Sequence, residues 1–123
     1  MAGFSLEVIG MEAVIGRLVV MQAEVIPGAT AAVSGALTDA YDASLPLIPV
    51  RTGRLLGGQQ TRLIGGGVEP TGELYNDTPY ARWVNSGHHT RSGSWVPAQD
   101  FMTVPMEVGR RSLMRRMAEI LLV

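Results

Sequence analysis

Apolar and polar positions change their period several times along the chain. Phe4-Ser5-Leu6-Glu7-Val8-Ile9 alternates before Gly10, the spacing of a short strand. From Met11 the spacing turns to three and four, through Val14, Ile15, Leu18, Gln22, Val25, Ala29, Ala32, Val33, Ala36, Leu37, Ala40 and Tyr41. Pro27-Gly28 interrupts this run, and a proline inside a helix costs about 3 kcal/mol unless it begins a new one. The apolar stripe stays in phase across the break. That favours one long helix to about Ser44, kinked at Pro27, over two helices meeting there. Its second half is rich in alanine and other small residues, so another helix can approach closely.

The prolines of Leu45-Pro46-Leu47-Ile48-Pro49-Val50 end that helix, since a residue before proline avoids helical angles. Pro49-Val50-Arg51-Thr52-Gly53-Arg54-Leu55 reads as a compact turn in which Thr52 caps a short helical turn. Gln59–Ile64 and Val68–Tyr75 read as two strands joined by Gly65-Gly66-Gly67, and Pro70-Thr71-Gly72 implies a bulge or an edge position. The stretch from Glu73 to Gly87 is a strand, a turn and a single helix around which the rest is expected to pack. Leu74 and Tyr75 end the strand, and Asn76-Asp77-Thr78-Pro79 supplies the turn. Pro79 suits the first helical position with Thr78 or Asp77 as cap; Tyr80, Trp83 and Val84 share one face, and Gly87 stops the helix. His88–Pro97 is polar and without period, an exposed loop. Pro97-Ala98-Gln99-Asp100-Phe101 leads into a last helix whose apolar face is Phe101, Val104, Val108, Met114 or Met117, and Leu121. Pro105 and Gly109 weaken its start, which can fall later than Phe101. Ile120-Leu121-Leu122-Val123 is expected to be buried in the core or in a neighbour.

At 123 residues the chain is read as one domain over 1–123, able to bury roughly two-thirds of its unfolded surface. A net charge of -1 singles out neither a general nucleic-acid binder nor a ligand of acidic surfaces. There is no cysteine, which excludes disulfides and thiolate metal sites, and every basic residue other than histidine is arginine. Met1–Phe4 lacks a positive start and Glu7 and Glu12 interrupt the apolar residues, so no signal peptide is expected; no apolar run is long enough for a membrane span.

No catalytic constellation has good spacing. His88-His89 is the sole histidine pair, adjacent residues seldom ligate one metal, and no HxxxH or HExxH spacing occurs; with Asp100 the pair is the weakest reading, a metal-dependent nuclease. Ser86 and Ser94 lack a nucleophile-elbow context, and Gly65-Gly66-Gly67 lacks the lysine and hydroxyl of a phosphate loop. Arg110, Arg111, Arg115 and Arg116 spread over the outer side of the last helix. Solvent or intersubunit pairing outweighs contact with DNA phosphates, since four charges alone give a weak, salt-sensitive contact. Tyr80 and Trp83 are expected in the core and not as a stacking platform.

Three segments in order carry a resemblance: Pro49-Val50-Arg51-Thr52-Gly53-Arg54-Leu55, Asn76-Asp77-Thr78-Pro79-Tyr80-Ala81-Arg82-Trp83-Val84, and Pro97-Ala98-Gln99-Asp100-Phe101. Together they resemble the small neck proteins of long-tailed bacteriophages, called tail-completion, head–tail connector or minor tail proteins. The resemblance implies an α+β subunit, with a long N-terminal helix and a C-terminal helix packed on a small, mainly antiparallel sheet. It implies a virion protein, made in the host cytoplasm, that forms a ring with its own copies, usually sixfold. Its other partners are the head-side connector or stopper proteins, the tail terminator or tail tube, and the genomic DNA in the channel. Neither catalysis nor a cofactor is implied. The residues it marks as motif or interface are Thr52, Gly53, Arg54, Leu55, Pro79, Tyr80, Ala81, Trp83, Gly87, Pro97 and Phe101. Arg51 stands where the family has an acid before Thr-Gly, and Asn85-Ser86-Gly87 replaces its Glu-x-Gly. If those acids pair with Arg54 in the family, this chain organises the turn differently.

Overall fold

The computed structural model describes residues 3–10, 14–21, 27–50, 53–65 and 69–121. Strand β1 (Gly3–Gly10) has the place its alternation predicts and runs antiparallel to β2 (Val14–Met21). The second of these strands overturns the long kinked helix expected from Met11. Leu18, Val19 and Val20 are all buried, so β2 is apolar on both faces and its period of two is hidden. Val14, Ile15 and Leu18 then mimic a helical stripe. Helix α1 (Ala29–Ser44) begins only after Pro27-Gly28, with Gly28 at the N-cap at φ 85°. The two residues mark a start, not a kink. A single 3-10 turn, Leu45–Leu47, follows α1, and a four-residue helix α2 (Arg54–Gly57) follows that.

Strands β3 (Gln59–Ile64) and β4 (Thr71–Asn76) form the expected hairpin, and the sheet order is β1-β2-β4-β3 with all neighbours antiparallel. Strand β4 is therefore internal. Its register is continuous against both β2 and β3, so neither the bulge nor the edge position expected at Pro70-Thr71-Gly72 occurs. Pro70 precedes the first strand residue, where no ladder donor is missing, and its carbonyl accepts a bond from the Val20 amide at 3.4 Å.

The short helix α3 (Ala81–Ser86) leads to strands β5 (His88–His89) and β6 (Trp95–Val96), and then to helix α4 (Thr103–Leu121). Helices α1 and α4 cover one face of the four-stranded sheet. A Cβ on Gly72 would lie 2.8 Å from Val33 of α1, and one on Gly16, a register neighbour of Leu74, 2.5 Å from Met106 of α4. The small residues of α1 do admit a second helix closely: a Cβ on Gly109 would sit 3.0 Å from Ala40 Cβ and 3.0 Å from Leu18 Cδ1. This closeness also corrects the face expected of α4. Its buried residues are Pro105, Met106, Gly109, Ser112, Leu113 and Met117, while Val104, Val108, Met114 and Leu121 are exposed. Phe101 and Met117 are buried as expected; the rest of the inner stripe runs through Met106 and Leu113 and, against α1, through the small Gly109 and Ser112, which hydropathy passes over. Pro105 falls in the first turn, where helix amides have no partner within the helix to lose. Ile120 packs partly on the core, and residues 122–123 lie outside the described residues.

Two carboxylates tie neighbouring elements together, one within the helix layer and one within the sheet. Asp39 of α1 accepts a bond from Ser112 Oγ of α4 at 2.5 Å and pairs with Arg116 at 3.3 Å and Arg115 at 3.9 Å. The Ser112 bond, aided by the two guanidiniums, outweighs desolvation and holds Asp39 below its usual value of 3.8. On the face away from the helices, the buried carboxylate of Glu73 lies between Arg17 of β2 and Arg62 of β3; Arg62 Nε donates to it at 2.7 Å. Burial pushes Glu73 up, but the bonds from Arg62 and Arg17 prevail and its value falls below 4.5.

Both groups are depressed in the folded state, so their contribution is present above the unfolded pKa and is lost as pH falls through the folded values. The urea midpoint is expected to drop as pH is lowered from about 5 towards 2, and to drop less in Asp39→Asn and Glu73→Gln. Gly109→Val is expected to destabilise the fold by about 1–3 kcal/mol through overpacking against α1, read as a lowered Tm; an unchanged Tm would contradict the close approach.

Candidate functional site

The end of β4 carries Asn76, fully buried. Its Nδ2 donates to the Leu55 carbonyl at 2.7 Å and to Gln59 Oε1 at 3.0 Å, while its Oδ1 accepts from the Thr78 amide at 3.0 Å. Gln59 in turn donates to Ser44 Oγ at 3.0 Å, and Ser44 Oγ donates to the Tyr41 carbonyl at 2.6 Å. This line of buried polar groups joins the end of α1, the α2 turn, β3 and β4. Gly53, at φ 78°, caps α2, so the expected short helical turn is present; Thr52, expected as its cap, lies outside the described residues. Leu55 is buried, and the Arg54 guanidinium lies 6.0 Å from the centre of the Tyr80 ring.

Helix α3 starts later than expected. Tyr80 is at its cap with no side-chain bond, and Pro79 precedes it within a turn closed by Ala81 N donating to Thr78 O at 3.0 Å. Six residues allow one inward stripe. Ala81 and Asn85 are buried and Tyr80 and Val84 pack partly on the core, so the intervening Trp83 turns outward and is 58% exposed. It is not a core residue. Gly87 ends the helix as expected, at φ 80°, where a Cβ would lie 2.7 Å from the Trp95 ring.

The segment after it is exposed but not without regular structure: β5 and β6 pair as a small hairpin, His88 with Val96 and His89 with Trp95. The imidazoles take different neighbours. His88 Nδ1 lies 3.4 Å from the Trp83 carbonyl, and His89 sits edge-on to Trp95 with ring centres 5.0 Å apart. Among the described residues no group of three His, Asp or Glu side chains is placed to hold a metal ion. Trp95 is 55% exposed, and from Thr78 to Gln99 the chain carries Arg82 and Arg91 and no acid. Exposed tryptophan beside arginine is the composition of binding hot spots.

Asn85 fixes this corner to α4. Its Oδ1 accepts from the amides of Met102 at 3.0 Å and Thr103 at 3.4 Å, and its Nδ2 donates to Thr103 Oγ1 at 3.3 Å. It caps the last helix from outside that helix's own sequence. Gln99 N to Val84 O and Asp100 N to Asn85 O, at 3.0 and 3.2 Å, complete the join. Phe101 is fully buried beneath it, and Pro97 is exposed.

The four arginines of α4 do not form one outward set. Arg110 and Arg111 pair with Glu107 at 2.6 and 3.4 Å, and Arg115 and Arg116 with Asp39. Asn76 and Asn85 were legible only as turn chemistry and as a departure from a motif. The signal that marks them is a lone amide where an apolar strand or helix ends. Compared with known protein families, with curated proteins and with solved structures, the chain matches none. Asn76→Ala and Asn85→Ala are each expected to cost about 1–3 kcal/mol, because their partners stay buried and unpaired. Chemical denaturation measures this; a loss within error for both would remove the corner's structural role.

Proposed function

We propose that this chain is a structural subunit of a bacteriophage neck, forming a ring, sixfold by the resemblance, that joins the DNA-filled head to the tail. The supporting observation is spatial. The three segments that carry the resemblance are far apart in sequence, yet Asn76 bonds the second to Leu55 of the first and Asn85 bonds α3 to the start of α4 just beyond the third. Motifs that meet at one buried corner have a physical reason to occur together. That corner presents Trp83 and Trp95, two exposed anchors suited to a neighbouring subunit. Its partners are its own copies, head-side connector or stopper proteins, the tail terminator or tail tube, and the DNA in the passage. A terminator or stopper ring at another level of the same stack has equal support. The alternative of a small DNA-binding module draws less, because Arg110, Arg111, Arg115 and Arg116 already have carboxylate partners.

Deleting the gene product is expected to leave filled heads and finished tails unjoined; particles that still couple would overturn the reading. Trp83→Ala with Trp95→Ala is expected to keep the Tm and lose incorporation into particles. In the free subunit, monomeric or weakly associated, amides 87–97 are expected to exchange faster than in the assembled protein. Equal protection would remove the hairpin from the interface.

A further inference from the structure

Helices α1 and α4 run antiparallel, and the two ends of the pair differ in chemistry. A Cβ on Gly28 would lie 3.2 Å from Ile120 Cδ1, and one on Gly35 2.6 Å from Arg116 Cζ, so the start of α1 meets the end of α4. There an open cleft of about 510 Å³ is lined by Gly28, Ala31, Ala32, Arg116, Glu119 and Ile120. Clefts of roughly 300–1,000 Å³ take drug-sized ligands, and an indole is smaller. Arg116 pairs with Asp39, whereas the exposed Glu119 has no ion-pair partner among the described residues. At the other end, about 20 Å along α4 from Arg116 by the helical rise, Asn85 fixes α3 to Met102 and Thr103. The β5–β6 hairpin springs from that end. A Cβ on Gly87 would lie 2.7 Å from the Trp95 ring and 2.9 Å from Ala98 N. Every residue from His89 to Trp95 is exposed, and a tight turn closes the tip, with Thr90 N donating to Ser94 O at 2.8 Å. Arg91 stands in that turn, also without an ion-pair partner among the described residues.

We propose that the α1–α4 cleft receives the β5–β6 hairpin of a second copy, Trp95 entering the cleft and Arg91 meeting Glu119. The proposal rests on the reading that the chain assembles with its own copies, and it names the two surfaces. The cleft offers what an indole beside a cation needs. Ala31, Ala32 and Ile120 supply apolar wall, and the half-exposed Arg116 guanidinium supplies a cation for the ring face. Glu119 supplies the opposite charge for an arginine. The hairpin is complementary on each count: its indole is 55% exposed, its tip is cationic, and no acid occurs from Thr78 to Gln99. Trp83 is as exposed as Trp95 but lies on α3; only the hairpin carries a tryptophan and a free arginine on one projecting unit. Gly87 holds Trp95 at the far end of α4 from the cleft, so the ring that enters comes from another copy. Because two different surfaces meet, the contact repeats head to tail, into a ring where the rotation closes, and does not stop at a dimer.

The chain has no cysteine, so single substitutions at exposed positions report the contact. Ser92→Cys and Ala31→Cys proteins are mixed at high concentration with a short bis-maleimide, and Thr61→Cys on β3 serves as control partner. The 92–31 product is expected to exceed the 92–92, 31–31 and 92–61 products several-fold and to decline as salt rises. Arg91→Glu in the Ser92→Cys chain is expected to lower it several-fold, and Glu119→Arg in the Ala31→Cys chain to restore it. Trp95→Ala is expected to lower it more than Trp83→Ala. If Ala31→Cys fails to fold, Ala118→Cys beside Glu119 takes its place. No excess over the control, loss without rescue by the paired charge reversal, or a cysteine at 31 shielded from thiol reagent in the free chain overturns the proposal. So does a single-stranded oligonucleotide that binds the hairpin while the second copy does not. Rings seen by light scattering without a 92–31 product overturn this contact and leave the ring reading standing. A 92–31 product from a protein dispensable for head–tail joining does the reverse.

Discussion

Two buried amides hold the working corner of this molecule. Asn76 and Asn85 each bond groups from distant parts of the chain, and a buried polar group left unpaired costs about 1–3 kcal/mol. The bonds therefore act as a constraint more than as a gain. Once β4 and α3 are placed, the α2 turn must meet Asn76 and the start of α4 must meet Asn85. Position of the exposed surface follows from the same constraint, because Trp83 lies on α3 between those two anchors and the β5–β6 hairpin follows directly after the second.

The helix pair depends on absence of bulk. Ala32, Ala36 and Ala40 on α1 and Gly109 and Ser112 on α4 let the two helices settle closely over one face of the sheet. The Asp39–Ser112–Arg116 cluster then fixes their register with bonds that a purely apolar seam lacks. The opposite face is treated differently. There the buried Glu73 is neutralised by neighbours on both sides, so a sheet face without a helical cover still carries an ordered charged row.

Much of this was legible in the sequence, and the misses have physical causes. The α+β class, the β3–β4 hairpin, the stop at Gly87 and the close-packing half of α1 all followed from local chemistry that tertiary contacts left intact. Strand β2 was read as helix because burial on both faces erases alternation. Phe101 and Met117 were placed on the buried side, while Val104, Val108 and Leu121 were misplaced there because close packing rewards glycine and serine where hydropathy looks for valine. Trp83 was assigned to the core by its helical spacing with Tyr80 and Val84, although a six-residue helix has one inward stripe and Tyr80, Ala81, Val84 and Asn85 fill it. At the candidate site, spacing and turn chemistry marked Tyr80, Gly87 and Phe101, and the resemblance added Ala81. The two asparagines that join these segments carry no periodic signal, because what they bond is remote in sequence.

Electron microscopy of intact particles encoding this chain tests the central claim most directly. Copies of this fold arranged around the DNA passage between head and tail, with the Trp83–Trp95 corner against a neighbouring subunit, are the expected result. Intact particles whose head–tail junction holds no density for this fold would contradict it.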